Sequence, residues 1–149
     1  MAKYLLDTNT IVYLEDKELP FYEAVFNRIS ALKNEDEVYI PILALFELQY
    51  GKSYASPHVS KKISKIIISI EKRFPVLPLT KAGSEIFGEL KALYRMKTGI
   101  SKKAITHHNI DFMLASSAMA EGAILVSNDT IFQTIHKENA TFLFENWTL

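Results

Sequence analysis

The chain has 149 residues, 48% of them apolar, which suits one domain with a real hydrophobic core and argues against a disordered protein. It contains no cysteine, so neither a disulfide framework nor a thiolate site is available. The formal net charge is zero, but residues 48–110 carry twelve basic and three acidic side chains while both flanking segments are acidic, which predicts a basic surface beside an acidic one.

Short apolar runs alternate with stretches of helical periodicity along the whole chain. In chain order the predicted elements are a strand at 3–6, a short helix at 11–14, a second helix with Pro20 in its first turn, a strand at 38–40, a helix at 42–50 closed by Gly51, a helix at 58–74, a strand at 76–79, a helix capped by Thr80, a loop at 98–101, a helix at 110–120, a strand at 124–126, a short helix from Ile131 and a strand at 141–144. This alternation predicts a single three-layer α/β/α domain over residues 1–149, with a mostly parallel central sheet.

Four acidic residues stand at the edges of separate apolar segments, namely Asp7, Glu47, Asp111 and Asp129. Asp7 and Asp129 follow predicted strands, and ligands of open parallel sheets bind beyond the carboxyl ends of the strands. Four carboxylates that met there would repel one another unless a hard divalent cation neutralised them. The pattern therefore predicts a metal-dependent hydrolase, although each acid also has a plain structural alternative in a turn, at a helix start or on a solvated helix face.

The stretches around these acids together resemble PIN-domain ribonucleases. The matching segments are Leu-Leu-Asp-Thr-Asn at 5–9, Phe-Glu-Leu-Gln-Tyr-Gly at 46–51, Ile-Asp-Phe-Met-Leu-Ala-Ser-Ser-Ala at 110–118 and Ile-Leu-Val-Ser-Asn-Asp-Thr-Ile-Phe at 124–132. The closing Glu-Asn-Trp-Thr at 145–148 is similar to the tail of one bacterial branch, the VapC toxins of toxin–antitoxin pairs. Each motif is short, but their order and spacing in a chain of this length make the set fairly specific.

The resemblance implies that Asp7, Glu47, Asp111 and Asp129 form an acidic pocket that binds Mg²⁺ or Mn²⁺. It also implies supporting polar roles for Thr8, Asn9, Ser127 and Asn128. Further implications are an RNA substrate, with tRNA suggested by the tail, a homodimer, and a VapB-type antitoxin whose peptide blocks the site. Two departures from the family pattern are the lead Thr-His-His-Asn at 106–109 and an aspartate at 129 where the VapC branch often has asparagine, which leaves the number of metal ions open.

Lysines of the basic middle segment are candidates for contact with RNA phosphates, and if they make it, cleavage weakens as salt rises. They are Lys52, Lys61, Lys62, Lys65, Lys102 and Lys103. A solvated, lysine-rich pair of helices is the alternative. The chain reaches Asp7 after only three apolar residues and has no apolar run of about 20 residues, so we expect a cytoplasmic protein without a signal peptide or membrane span.

Other functional classes fit the sequence less well. A phosphoryl-receiver domain needs paired acids after its first strand and a lysine after a late strand, and residues 127–129 contain no lysine. A phosphatase with an Asp-x-Asp nucleophile motif is disfavoured because Asn9 stands where the second acid belongs. A catalytically silent PIN fold that binds RNA or acts as an assembly scaffold remains the alternative, and metal binding separates it from the nuclease.

Overall fold

The computed structural model describes all residues from Met1 to Leu149. The strands are β1 (Lys3–Leu6), β2 (Glu37–Pro41), β3 (Val76–Leu77), β4 (Ile124–Val126) and β5 (Phe144–Glu145). The helices are α1 (Thr8–Glu15), α2 (Tyr22–Ser30), α3 (Ile42–Tyr54), α4 (Pro57–Arg73), α5 (Lys81–Thr98), α6 (Lys102–Thr106), α7 (Asn109–Glu121) and α8 (Ile131–Glu138). None of the helices is long and apolar enough to cross a membrane.

All strand pairs are parallel, and the order across the sheet is β3-β2-β1-β4-β5. Successive side chains of a strand point to opposite faces. Leu5 and Leu125 accordingly pack with α5, α7 and α8 on one face, whereas Leu6 and Val126 pack with α1, α2 and α4 on the other. These two cores confirm the predicted three-layer α/β fold with a parallel sheet.

The predicted end of the third helix at Gly51 is wrong, because α3 continues to Tyr54. Positive φ angles, which glycine adopts at helix ends, occur only at Gly99 and Gly122, and Gly51 has none. A Cβ built on Gly51 would lie 3.6 Å from Ile63 of α4, so this glycine is at the contact between α3 and α4. The packing of the two helices carries α3 past the residue that local sequence marks as its end.

Other helix and strand bounds also differ from the sequence prediction, among them the end of β3 at Leu77 instead of residue 79 and the start of α1 at Thr8 instead of residue 11. Helix α2 begins at Tyr22, so Pro20 precedes it instead of lying in its first turn. Helix α6 was not predicted, because five residues are too few for a periodic pattern; its Ser101 cap accepts a hydrogen bond from the Ala104 amide at 3.1 Å. Strand β5 begins only at Phe144, since residues 139–142 form a turn instead.

The order in which strands are added to the sheet reverses at β1, and the candidate site lies beside this strand. From β1 the chain builds β2 and β3 on one side, and later β4 and β5 on the other. Adjacent parallel strands whose connections leave in opposite directions open a crevice at their carboxyl ends. The residues that follow β1 and β4, from Asp7 and from Ser127 onward, lie at that crevice.

Candidate active site

The start of α1 is fastened to the end of β4 by backbone and side-chain hydrogen bonds. The Asp7 amide donates to the Val126 carbonyl at 2.9 Å, and Thr10 Oγ1 donates to the same carbonyl at 3.0 Å. Asp7 is also the N-cap of α1, where its Oδ1 accepts from the Thr8 amide at 2.7 Å. The strand end and the helix start together fix the direction of the Asp7 carboxylate.

Ser127 connects three residues of this crevice through one buried hydroxyl. Its Oγ donates to Asp7 Oδ2 at 2.8 Å and accepts from Asn9 Nδ2 and from the Asp129 amide, both at 3.1 Å. Only 1% of Ser127 is exposed, so these partners replace water for its hydroxyl. The predicted supporting residues Asn9 and Ser127 therefore lie in direct contact with the acids or with each other.

Thr8 and Asn128, the other two predicted supporting residues, lie in different surroundings. Thr8 Oγ1 donates to Glu47 Oε1 at 2.8 Å and thereby links α1 to α3 beside the crevice. Asn128 instead donates from Nδ2 to the Tyr13 hydroxyl at 3.2 Å and does not line the same cavity.

The four predicted acids line one cleft of about 520 Å³, which we call the acidic cleft. The complete lining consists of Asp7, Thr8, Asn9, Glu47, Thr106, His107, Asn109, Ile110, Asp111, Leu114 and Asp129. Each acid comes from a different part of the fold: the end of β1, the middle of α3, the first turn of α7 and the loop after β4. The convergence that the sequence could only suggest is therefore present in the folded chain.

The electrostatics of the acidic cleft reflect both burial and mutual repulsion. The pKa of Asp7 is raised from its ordinary value of 3.8 to about 6, chiefly by burial and to a smaller degree by the charges of Glu47 and Asp111, against the opposing hydrogen bonds from Ser127 and Thr8. Burial likewise raises the pKa of Asp111, and the charge of Asp129 adds to the effect. The acids are thus close enough to influence one another.

His108 is the neighbour that opposes this effect at Asp111. Its Nδ1 lies 3.0 Å from Asp111 Oδ2, and this contact lowers the pKa of the carboxyl group against the larger influence of burial. His107, the adjacent histidine, lines the acidic cleft and is exposed. Consecutive residues of the turn before α7 therefore have separate contacts, which argues against a metal site made by both histidines.

The acidic cleft offers the oxygen ligands that a hard divalent cation takes, since four of its lining residues carry carboxylates. As the side chains stand, no three histidine or acidic residues are close enough to hold one ion together. Glu47 and Asp129 are exposed, and each accepts one hydrogen bond, from Thr8 Oγ1 and from the Ile131 amide, whereas Asp7 is buried and held by both Ser127 and Thr8. The donor chemistry of the acidic cleft therefore fits a hard divalent cation.

The predicted RNA-binding lysines are spread over several surfaces. Lys61, Lys62 and Lys65 line a cleft of about 500 Å³ with Asp16 and three other residues. Lys62 Nζ lies 2.7 Å from Asp16 Oδ2, and Asp16 follows the last residue of α1, at the opposite end of that helix from Asp7. An eight-residue helix is about 12 Å long, which gives the scale of this separation.

The remaining lysines lie on α3 and α6. Lys52 is partly buried near the end of α3, and Lys103 is exposed on α6. Lys102, also exposed, lines a groove of about 260 Å³ that shares Thr106 with the acidic cleft. Sequence patterning did not single out Lys91 or Arg95 of α5, which line this groove too. Their helical spacing of i and i+4 places them on one face, but it does not say what that face adjoins.

Comparison with known proteins gives consistent matches over nearly the whole chain. The family model for the PIN domain matches residues 4–138. The ribonuclease VapC2 of Rickettsia felis is 31% identical over 144 residues, which is 97% of each chain. Among solved structures, VapBC2 from Rickettsia felis bound to a DNA fragment from the promoter matches with a TM-score of 0.74 and 28% identity, over 97% of this chain and 98% of that one. VapBC-1 from nontypeable Haemophilus influenzae matches with a TM-score of 0.73 and 25% identity, over 99% of both chains.

Proposed function

The chain belongs to the PIN-domain family, in its VapC branch, and we propose that it is a divalent-metal-dependent endoribonuclease that serves as the toxin of a toxin–antitoxin pair. The observation that carries the proposal is the acidic cleft, where four carboxylates from distant segments meet and burial and repulsion raise the pKa values of Asp7 and Asp111. Carboxylates held in this unfavourable state are typical of functional sites. We also propose that the chain acts in the cytoplasm, where RNA is abundant.

The roles of the acids follow from how each one is held. Asp7 and Asp111 are the metal ligands in this proposal, because both are partly or wholly buried and fixed by hydrogen bonds. A bound Mg²⁺ or Mn²⁺ supplies charge neutralisation of the scissile phosphate and makes a nearby water more acidic. Exposed Glu47 orients the attacking water and accepts its proton, while Asp129 completes the site or holds a second ion.

The covalent change is a hydrolysis that needs no nucleophilic side chain. The water oxygen bonds to phosphorus, the bond from phosphorus to one ester oxygen breaks, and the leaving oxygen takes a proton from solvent. The attacking water's proton goes to a carboxylate of the acidic cleft, for which Glu47 is the exposed candidate. Thr8 and Ser127 position Glu47 and Asp7 through the hydrogen bonds described above.

The cleavage assay uses purified protein and pooled cellular RNA, with Mn²⁺ or with chelator. We expect Asp7→Asn and Asp111→Asn to lower the cleavage rate on the order of 100-fold, since a lost metal ligand removes several kcal/mol of charge stabilisation. Glu71→Gln on the exposed side of α4 is the control for the loss of one negative charge. Cleavage that survives in chelator or in Asp7→Asn contradicts the proposed activity, and a chain that binds RNA without cutting it or binding metal is the silent scaffold.

The proposed partners are an RNA, an antitoxin of the VapB type and a second copy of the chain. Similarity to solved VapBC complexes supports an antitoxin, and the similar closing segment supports tRNA as the substrate class. The homodimer is supported by one face of α3, where Phe46, Tyr50 and Tyr54 are 67%, 70% and 83% exposed. Large apolar side chains grouped on an otherwise polar surface mark a protein contact.

A further inference from the structure

The groove next to the acidic cleft is cationic. It is lined by Gly88, Lys91, Ala92, Arg95, Lys102, Ile105 and Thr106, and we call it the cationic groove. Small residues from α5 leave space between the helices, while the charged side chains come from α5 and from the start of α6. None of the lining residues is acidic, and none of its three cations forms a salt bridge.

The cationic groove and the acidic cleft adjoin at Thr106. Thr106 lines both, and Lys91 Nζ donates to Oδ1 of Asn109, a second residue of the acidic cleft, at 2.7 Å. His107, next to Thr106, lies on the side of the acidic cleft. A chain that enters the acidic cleft across Thr106 therefore meets the cationic groove without leaving the surface.

The cleft of Lys61, Lys62 and Lys65 has a different charge environment. Asp16 and Glu18 also line it, and Lys62 pairs with Asp16 at 2.7 Å and approaches Glu18 at 4.0 Å. Its positive charge is partly neutralised within the protein, and it shares no residue with the acidic cleft. The cationic groove is therefore the better placed of the two surfaces to hold an anion beside the carboxylates.

We propose that the cationic groove binds the sugar-phosphate backbone of single-stranded RNA next to the scissile bond, with Lys91, Arg95 and Lys102 contacting phosphates. The inference rests on the proposed nuclease function and assigns the site that holds the substrate. A positive groove that follows the backbone is the usual way to bind a single strand without reading its sequence. The positive charge of the cationic groove also offsets the repulsion between the carboxylates of the acidic cleft and an incoming polyanion.

The test measures binding separately from cleavage. Fluorescence anisotropy follows a labelled single-stranded RNA oligonucleotide at several salt concentrations, in chelator, with every protein carrying Asp7→Asn. The groove variant combines Lys91→Gln, Arg95→Gln and Lys102→Gln. The control variant combines Lys72→Gln, Lys81→Gln and Lys137→Gln, which removes the same charge from exposed positions outside both surfaces. Thermal melting checks that the groove variant and the control variant are folded. A double variant with only Arg95→Gln and Lys102→Gln keeps the hydrogen bond from Lys91 to Asn109 and so controls for its loss.

Three lost phosphate contacts have a definite salt signature. Each contact to a single strand contributes about 0.7 to the slope of log affinity against log salt, so the groove variant should lose about 2 from that slope. At 0.1 M salt this corresponds to an affinity loss on the order of 100-fold, and the control variant should lose far less. Equal losses of RNA affinity in the two variants, or an unchanged salt slope in the groove variant, overturn the inference. It is also overturned if the groove substitutions change only self-association or antitoxin binding. If the chain with its groove intact neither binds RNA here nor cleaves it in Mn²⁺, the proposed function fails with it.

Discussion

The substitution Asp7→Asn tests whether Asp7 is a strained, buried carboxylate, because asparagine caps a helix as well as aspartate does and removes only the negative charge. Asp7 is only 7% exposed, and its pKa is about 6 against the ordinary 3.8. At 1.36 kcal/mol for each pKa unit, keeping this carboxylate ionised at pH 7 costs the folded chain about 3 kcal/mol. A neutral asparagine removes that cost.

The stability gained by removing the charge of Asp7 is reduced by the loss of the hydrogen bond from Ser127. Ser127 Oγ already accepts from Asn9 and from the Asp129 amide, so a new side-chain amide at position 7 finds it occupied. An unmade bond costs about 1 kcal/mol, which leaves a net stabilisation of about 2 kcal/mol. For a chain of this size we expect the melting temperature of Asp7→Asn in chelator to rise by about 6 °C.

The matched control is Asp16→Asn, at the other end of α1. Asp16 is 8% exposed, but the contact with Lys62 holds its pKa below the ordinary value, so its removal should lower the melting temperature slightly. Differential scanning calorimetry at pH 7, with chelator and with Mn²⁺, measures both variants. An Asp7→Asn protein that melts at or below the unsubstituted chain would refute the account of a strained carboxylate at the start of α1.

Three other predictions concern the same surfaces. Ser127→Ala should lower the unfolding free energy by about 1–3 kcal/mol in a urea titration at pH 7, because Asp7 loses a buried donor; unchanged stability would mean that water replaces the hydroxyl. Because the pKa of Asp7 is raised, the folded chain binds more protons than the unfolded chain between about pH 4 and 6. In chelator the free energy of unfolding should therefore rise as pH falls from 7 to 5, and it should rise less in Asp7→Asn. Equal pH profiles of the two proteins would count against the raised pKa of Asp7. Phe46→Lys on the exposed face of α3 should shift the chain towards monomer in sedimentation velocity, whereas an unaltered dimer would place the interface elsewhere.

The strands and the acids were accessible to sequence reasoning because both depend on local pattern. Residues 4–6 and 124–126 are apolar runs too short for a helix, and each is followed at once by polar residues of the crevice. Their alternation with helices predicts a parallel α/β fold, and the resemblance of the motifs to PIN domains implies its particular arrangement. The helix end predicted at Gly51 is wrong for the converse reason. Contact with α4 prolongs α3, and this tertiary effect is absent from the local sequence.

Packing between elements that are distant in sequence decides which other residues lie near the four acids. Lys61, Lys62 and Lys65 form a conspicuous basic cluster in sequence, yet α4 brings them to the far end of α1 beside Asp16. Lys91 and Arg95 carry no motif and become neighbours of the acidic cleft only because α5 packs against α7 and α6 fills the turn between them. Charge counting finds the basic segment, but only the fold tells which of its cations face the carboxylates.

The central claim is that the acidic cleft holds a divalent cation, and direct titration with Mn²⁺ tests it best. Electron paramagnetic resonance of free Mn²⁺ counts the bound ions without requiring a substrate. We predict saturable binding by the unsubstituted chain, with at least about tenfold weaker binding after Asp7→Asn or Asp111→Asn, as expected when a carboxylate oxygen ligand is lost. No saturable binding, or binding that both substitutions leave intact, contradicts the claim.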